Sequence, residues 1–555
     1  MTPAADAAHA ASAVVDRLAD AVGAVERRET HGSWVLLTPT RALKVKKPVV
    51  MAFLDYGTLE RRRAMCRAEV EVNRRAAPDV YLGVRAVVPD GDGVALAPED
   101  ARDAIEYAVE MRRFDEDATL AAALRRGRVT GAAMSAIGAR LAAFHAGCER
   151  VDRIDGAERI KRALDDDFAS LRSLTATDER LTTRLISAER CVSALLGARW
   201  HELDERARSG RVRDGHGDLR AEHVLLEPED AIVDAIEFDP GLRQIDVGLD
   251  LGFLVMDLHA AGRPDLARAL VTGYRGAGGD PGDDRLLAFF AAYRARVRAK
   301  VALLRAAQLP PGPVAERERG AARALLTLGD RLLWAAREPA IIAVGGVSAS
   351  GKSTLARALA ERTGAPVVSS DVVRKALVGL EPGQRAPAAA YGAGMSAATY
   401  DALGREAHGL EGPVIADATF HRRELREVFR RALGKRAREL LFVECTAPVA
   451  VLERRLLDRE REPARVSDAT LAVLRRQLED RDPLDEVPAS AHLSLRCDQP
   501  TDVLAAAIEE ALDRRAFQAR YAASAAVTTK GNGRTSTTAP SGSAAVPTTS
   551  CSSGT

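Results

Sequence analysis

The chain has 555 residues, enough for two to four domains that each bury a core, which argues against a single domain. Its 80 basic and 79 acidic residues leave a formal net charge of +1, so no whole-molecule field draws it to nucleic acid or to an anionic membrane. Hydrophobic residues at 46% and charged residues at 29% describe a soluble globular protein, with 4% aromatics leaving aliphatic side chains to fill the cores.

In chain order, the N-terminus reads as a helix carrying Asp6, Asp16, Asp20 and Glu26, without the basic patch and apolar core of a secretory signal. Short strands are predicted over 33–38, 42–46, 84–88, 94–97 and 105–110, after which the pattern turns mostly helical. Two stretches of helical periodicity, 286–307 and 316–337, flank Leu309-Pro310-Pro311-Gly312-Pro313, where three prolines must interrupt the helix; a helix–helix corner is expected there. A domain boundary is placed at Glu338-Pro339. Beyond it short apolar strands (341–345, 366–369, 413–417, 439–444) alternate with helices, the pattern of a parallel α/β sheet. From about Ala522 the chain is Ala, Thr, Ser, Gly and Pro without periodicity, and is expected to be a disordered tail. The expected division is thus 1–338, 339–521 and 522–555. Six scattered cysteines without CxxC pairs argue against zinc sites and disulfides, and no 18-residue uncharged apolar stretch suggests a membrane span; a reduced cytoplasmic compartment is expected.

The most specific string is Gly346, Val347, Ser348, Ala349, Ser350, Gly351, Lys352 and Ser353, a Gly-x4-Gly-Lys-Ser phosphate loop. It lies between the apolar run 341–344 and a helix-forming run that opens with Thr354. That context brings successive backbone N–H groups and a helix N-terminus onto one polyphosphate. Lys352 then reaches the β and γ phosphates of ATP and Ser353 ligates Mg²⁺.

A second constellation lies upstream. Residues 214–226 read DGHGDLRAEHVLL and 231–252 read AIVDAIEFDPGLRQIDVGLDLG. A hairpin of these two runs gathers His216, Asp218 and His223 with Asp234; Asp218 is placed to accept a hydroxyl proton while His223 and Asp234 hold Mg²⁺. This stretch resembles the catalytic and metal loops of the aminoglycoside phosphotransferase and choline kinase family, which implies a two-lobed, protein-kinase-like fold over about residues 30–300. Arg220 and His223 replace the second histidine and the metal-binding asparagine of that family's loop. The resemblance favours Asp234 as metal aspartate, with Glu237 and Asp239 as alternatives, and gives Asp246 and Asp250 a structural role. On the strand 41–47, Lys44 and Lys46 share a face. One of them is expected to be the phosphate lysine, with Lys44 preferred because Ala42-Leu43-Lys44 resembles the Ala-Ile-Lys of kinase-like folds, and Glu69 its partner. Residues 106–111 are expected to connect the lobes beside adenine, and His145 to be a packed core histidine.

In the second half, Ser370-Asp371 and Arg374 follow a strand, an order that resembles small P-loop kinases of the polynucleotide kinase and gluconate kinase groups. The resemblance implies Asp371 as general base and Arg374 as an acceptor contact. Asp417 ends the strand 413–416 at the position of a Walker B aspartate and is expected to bind Mg²⁺ through water. Arg454 and Arg459, on a helix before a basic segment, are expected to neutralise the transferring phosphoryl group as part of a lid. The combined expectation is an ATP- and Mg²⁺-dependent phosphotransferase with two ATP sites and a small-molecule hydroxyl acceptor. A nucleic-acid 5′-hydroxyl kinase and a nucleotide-sensing regulator are the alternatives; the neutral charge weighs against the first.

Overall fold

The computed structural model describes residues 3–30, 32–51, 54–152, 155–226, 230–460 and 470–531; within these, side chains at 3–9, 51, 54, 459–460 and 517–531 lie outside the described set. The N-terminal part is a six-stranded antiparallel sheet, in the order Glu26–Glu29, Ser33–Leu37, Arg41–Lys46, Glu106–Arg112, Tyr81–Asp90, Gly93–Pro98. Thr38 closes the turn between the second and third strands, its N–H donating to the Arg41 carbonyl at 2.8 Å and its hydroxyl oxygen accepting from the Arg41 N–H at 2.9 Å. The helix Leu59–Arg74 is capped by Thr58 and buries Cys66, Glu69, Val70 and Asn73. It packs on one sheet face, bringing Glu69 to the strand that carries Lys44 and Lys46, while Val15 and Leu18 of the helix Pro3–Val22 cover the other face. The strand Glu106–Arg112 is central in this sheet, paired on both sides, so the lobe connection begins only after it.

The helical part packs seven long helices, from Gly131–Gly147 to Pro313–Ala336, around one aliphatic core. Glycine permits the closest crossing: a Cβ on Gly273 would lie 1.9 Å from the Ser135 carbonyl oxygen, and one on Gly138 2.1 Å from that of Leu270. The proline corner at 309–313 joins the helices Asp284–Gln308 and Pro313–Ala336, which pack along each other. The expected hairpin of 214–226 with 231–252 is reduced to an isolated antiparallel bridge, Val224 to Ile232. Asp234 takes the left-handed conformation, φ 63°, which ends regular pairing. Its neighbourhood is held instead by the short strands Val212–Asp214 and Gln244–Asp246.

The third part is a five-stranded parallel sheet, in the order Val367–Ser369, Val414–Asp417, Ile341–Gly345, Leu440–Thr446, His492–Arg496. Alternate residues serve opposite cores, Ile342 and Val344 with Leu355, Leu359 and Ile508 on one face, Ile341 and Ala343 with Tyr400, Leu403 and Phe429 on the other. The strand His492–Arg496 was not expected from the sequence; five residues with exposed Arg496 and Ser494 carry little pattern. The final helix spans Thr501–Gly531, so the low-complexity segment from Ala522 begins as helix, as its alanine-rich start allows. Residues 532–555 lie outside the described residues. Among the described residues no helix is long and apolar enough to cross a membrane.

The final helix also packs on the helix Glu179–Arg208. At this junction the buried Glu509 accepts from Ser187, from the Trp334 indole at 2.9 Å and from the Arg362 guanidinium at 2.8 Å twice, while Arg337 pairs with Asp513 at 3.0 Å. Burial opposes ionisation of Glu509, but the hydrogen bonds and charges of Arg362 and Arg337 outweigh it and hold the carboxyl at about 2, against an ordinary 4.5. A carboxylate depressed in the folded state stabilises above its unfolded value and loses that contribution as pH falls. Glu509→Ala is therefore expected to cost about 3–5 kcal/mol by leaving Arg362 uncompensated. Denaturant titrations should show wild-type stability declining between pH 4.5 and about 2, with the Glu509-dependent part of that slope missing in the variant.

Candidate functional site

The phosphate loop is held from three sides. Gly346 N–H donates to the Thr419 carbonyl at 3.0 Å, and a Cβ on Gly346, at φ 144°, would lie 2.5 Å from the Ser350 hydroxyl and 2.6 Å from the Cys445 carbonyl. Only glycine fits there. Ala349 is left-handed at φ 65°, and the Arg455 guanidinium donates to the carbonyls of Ala349 and Ser350 at 3.3 and 3.4 Å. Those contacts occupy loop carbonyls and fix the backbone of the turn. The loop runs into the helix Lys352–Thr363, whose first turn carries Lys352, Ser353 and Thr354.

Lys352, Asp371, Arg374 and Asp417 line one cavity of about 950 Å³ over this loop. Asp417 is buried at the end of its strand, its carboxyl raised by burial against the opposing charge of Lys352, and the Ser353 hydroxyl donates to it. Its Oδ1 has no hydrogen-bond partner. A buried, half-satisfied carboxylate beside a loop hydroxyl is suited to a cation or a cation-bound water. Among the described residues no three His, Cys, Asp or Glu side chains form a metal cage, so Mg²⁺ here would draw its other ligands from phosphate and water, as is its habit. Asp371 sits in the first turn of the helix Ser370–Leu377, and Arg374 one turn on, with Nη1 donating to the Ala390 carbonyl at 2.7 Å.

The two arginines expected in a lid are differently placed. Arg454 is exposed on the helix Val449–Glu460, outside the cavity lining, and the Arg459 side chain lies outside the described residues. The helix Leu471–Glu479 supplies the nearer groups: Leu474 packs with Val347, Ala349, Leu452 and Leu456, Arg476 lines the cavity, and Gln477 Oε1 accepts from the Ser348 N–H at 2.8 Å. His421 and Arg422, which follow the Asp417 strand, line the same cavity. Only the run of basic residues at 421–423 signalled them in the sequence.

In the N-terminal half, Glu69 is the hinge of a buried charge network. Lys44 Nζ lies 2.8 Å from Glu69 and 2.9 Å from Asp234, whereas Lys46, fully buried, is bonded to Glu69 and Glu237. Tyr56 donates to Glu237 at 2.9 Å. Burial opposes the charge of both lysines, but the carboxylates outweigh it and raise both above the ordinary range. Lys44 chiefly holds Asp234 far below the usual carboxylate range. Lys44 is thus the lysine at the site edge and Lys46 the structural one. Glu237 is consumed by Lys46, and Asp239 caps residues 240–243, accepting from Gly241 N–H at 2.7 Å.

The loop that carries Asp218 is set by backbone anchoring. Asp250 accepts from the N–H groups of His216 at 2.7 Å and Gly217 at 3.0 Å and faces His145 Nε2 at 3.3 Å. His145 is a core histidine, as expected, with Tyr274 on its other nitrogen at 2.8 Å. Burial lowers the His216 pKa, so the ring is neutral; its Nε2–H donates to the Val233 carbonyl at 2.9 Å, and Nδ1 accepts from the Asp218 N–H at 3.2 Å. His223 stacks on His216 at 5.8 Å. Its Nδ1 lies 2.8 Å from the Asp218 carbonyl and its Nε2 3.7 Å from Asp234 Oδ2. This pair fits a divalent cation bound by one imidazole and one carboxylate, with Asp218 half-buried on the same loop.

Lobes, catalytic loop and phosphate loop together define a protein with a two-lobed, kinase-like part followed by a P-loop parallel sheet. Residues 341–484 match the family model of an AAA domain. The chain is 34% identical over 448 residues to uncharacterized protein Rv2004c of Mycobacterium tuberculosis, covering 78% of this chain and 86% of the relative, and belongs to the same family. Among solved structures it is similar to a gluconokinase from Sinorhizobium meliloti, at 25% identity over 33% of this chain and 98% of that one, TM-score 0.26. It is also similar to a choline/ethanolamine kinase family protein from Mesorhizobium loti, at 12% identity over 58% and 99%, TM-score 0.32.

Because Gln477 holds a phosphate-loop amide, Gln477→Ala should free it for phosphate. One hydrogen bond of about 0.5–1.5 kcal/mol corresponds to roughly two- to ten-fold tighter ATP binding, read by calorimetric titration.

Proposed function

We propose that the protein is an ATP-dependent phosphotransferase that transfers the γ-phosphoryl group to a hydroxyl of a small-molecule acceptor. It would act through two units, residues 1–338 and 339–521, each with its own nucleotide site. The observation that carries this reading is the cavity lined together by Lys352, the half-satisfied Asp417, Asp371 and Arg374, with Ser353 bonded to Asp417 behind it.

In the second unit the loop from Gly346 to Ser353, with Thr354, would hold the phosphates, and Ser353 and Asp417 would hold Mg²⁺. Bound ATP and Mg²⁺ supply the phosphoryl group and the neutralising charge. Asp371 takes the acceptor proton, Arg374 orients the acceptor, and Arg476 faces the developing charge from the helix above. In the first unit Lys44, braced by Glu69, would contact phosphate, His223 and Asp234 would hold Mg²⁺, and Asp218 would take the proton. Catalysis in each rests on positioning and electrostatics. The acceptor cavity of the second unit is partly walled by Tyr391 and Leu380, which suits a metabolite. The near-neutral charge of the chain weighs against a nucleic-acid acceptor.

The test is a phosphorylation screen over sugars, aminoglycosides, polyols, nucleosides and 5′-hydroxyl RNA. For acceptors used by the second unit, Lys352→Ala and Asp371→Asn are each expected to lower kcat by about 10²–10⁴-fold; Asp218→Asn should do so for acceptors of the first. Transfer that persists unchanged in all three variants would overturn the reading.

A further inference from the structure

Behind the catalytic loop lies a second, smaller cavity of about 100 Å³, enclosed by the helices Gly156–Thr175, Glu179–Arg208, Val247–Ala260 and Asp284–Gln308. Its walls are mostly aliphatic: Ile160, Leu203, Val212, Ile245 and Leu249. Arg294, only 6% exposed, also lines it. Its Nε donates to the Leu249 carbonyl at 3.2 Å and its plane lies 4.2 Å over the Phe253 ring, yet Nη2 has no hydrogen-bond partner. Several other buried arginines are matched by a carboxylate, Arg62 by Glu106, Arg206 by Asp246, Arg296 by Asp330, Arg337 by Asp513 and Arg362 by Glu509, whereas Arg374, in the phosphate-loop cavity, shows no such pair among the described residues. Among the described residues Arg294 forms no such pair. Asp246 also borders the cavity but is already spent on two bonds from Arg206 at 2.7 and 2.8 Å and on the Gly248 N–H. Arg159, the other cation there, donates to the Gly241 carbonyl at 3.1 Å.

The cavity abuts the loop that carries Asp218. Leu242 lines it, and the Leu242 carbonyl oxygen lies 3.0 Å from where a Cβ on Gly217 would stand. A buried guanidinium with a free donor, in an aliphatic pocket, lacks one thing, an oxyanion on an apolar body. We propose that this cavity binds the carboxylate end of a small apolar acid through Arg294, and that the acceptor of the first unit is a hydroxy acid whose hydroxyl is thereby turned toward Asp218. The second clause rests on the phosphotransferase reading of Asp218; the first does not.

The experiment separates the two. The full chain, without nucleotide, is titrated with sodium hexanoate, hexan-1-ol and hexylamine, which share one apolar body and differ in charge. A charge-assisted hydrogen bond in a dry site should make hexanoate bind about ten-fold or more tightly than hexanol, with hexylamine weakest. Arg294→Gln should erase the preference of hexanoate over hexanol, and Ala163→Leu, which fills the cavity from a half-buried wall position, should abolish binding of both. Equal binding of hexanoate and hexanol to the wild-type chain, or a preference surviving in Arg294→Gln, overturns the proposal. If Arg294→Gln fails to fold, Ala163→Leu decides: undiminished hexanoate binding there overturns it. Hexanoate binding that passes these tests while no acid is phosphorylated leaves the anion site standing and removes the acceptor role.

Discussion

The position of the phosphate loop depends on one buried carboxylate. Glu509 receives donors from three helices at once, Ser187 on Glu179–Arg208, Trp334 on Pro313–Ala336 and Arg362 on Lys352–Thr363. The last of these helices begins at Lys352 and ends one residue beyond Arg362, so the end that faces phosphate and the end that is clamped belong to one rigid rod. A charge buried this deeply is tolerated only while its partners stay in place. Rotation of the P-loop sheet against the helical lobe would therefore break a charged hydrogen bond at the far end of the nucleotide-binding helix.

The two candidate sites handle unpaired charge in opposite ways. Around Glu69 each cation has found its anion, with Lys44 and Lys46 sharing three carboxylates. A phosphate arriving there would have to compete with Asp234 for Lys44. Around Asp417 the balance is left open, with one carboxylate oxygen of this cavity-lining residue lacking a partner. A site that already satisfies itself is stable and slow to admit a ligand; one that leaves buried polar atoms unpaired is costly until the ligand arrives.

Much of this architecture was legible because the relevant signals are local. The glycine spacing of 346–351, the apolar runs at 341 and 414, and the proline corner at 309–313 each encode their geometry within a few residues. The carboxylate at 218 stands out because His216 and Gly217 precede it. What could not be read depends on contacts distant in sequence. Lys46 and Lys44 are chemically alike, and only the burial of Glu237 beside one of them, 191 residues away, separates their roles. Arg454 was expected at the phosphoryl group, yet it is Arg476, on the helix whose Leu474 packs against Val347 and Ala349, that lines the cavity. Asp250 was expected to be structural, but that it carries the backbone of the loop before Asp218 follows from a 34-residue separation no local pattern records.

The junction of the final helix with Glu179–Arg208 also bears on how the chain is made. Ser187 meets its partner Glu509 across 322 residues. At roughly 5–20 residues per second of synthesis, that interval is about a quarter of a minute to a minute. During it the face of the helix that bears Ser187 and Cys191 is finished but uncovered. The first half must then wait on the ribosome with an apolar, partly polar-starved surface exposed, a natural stage for chaperone engagement or for premature pairing with another nascent copy.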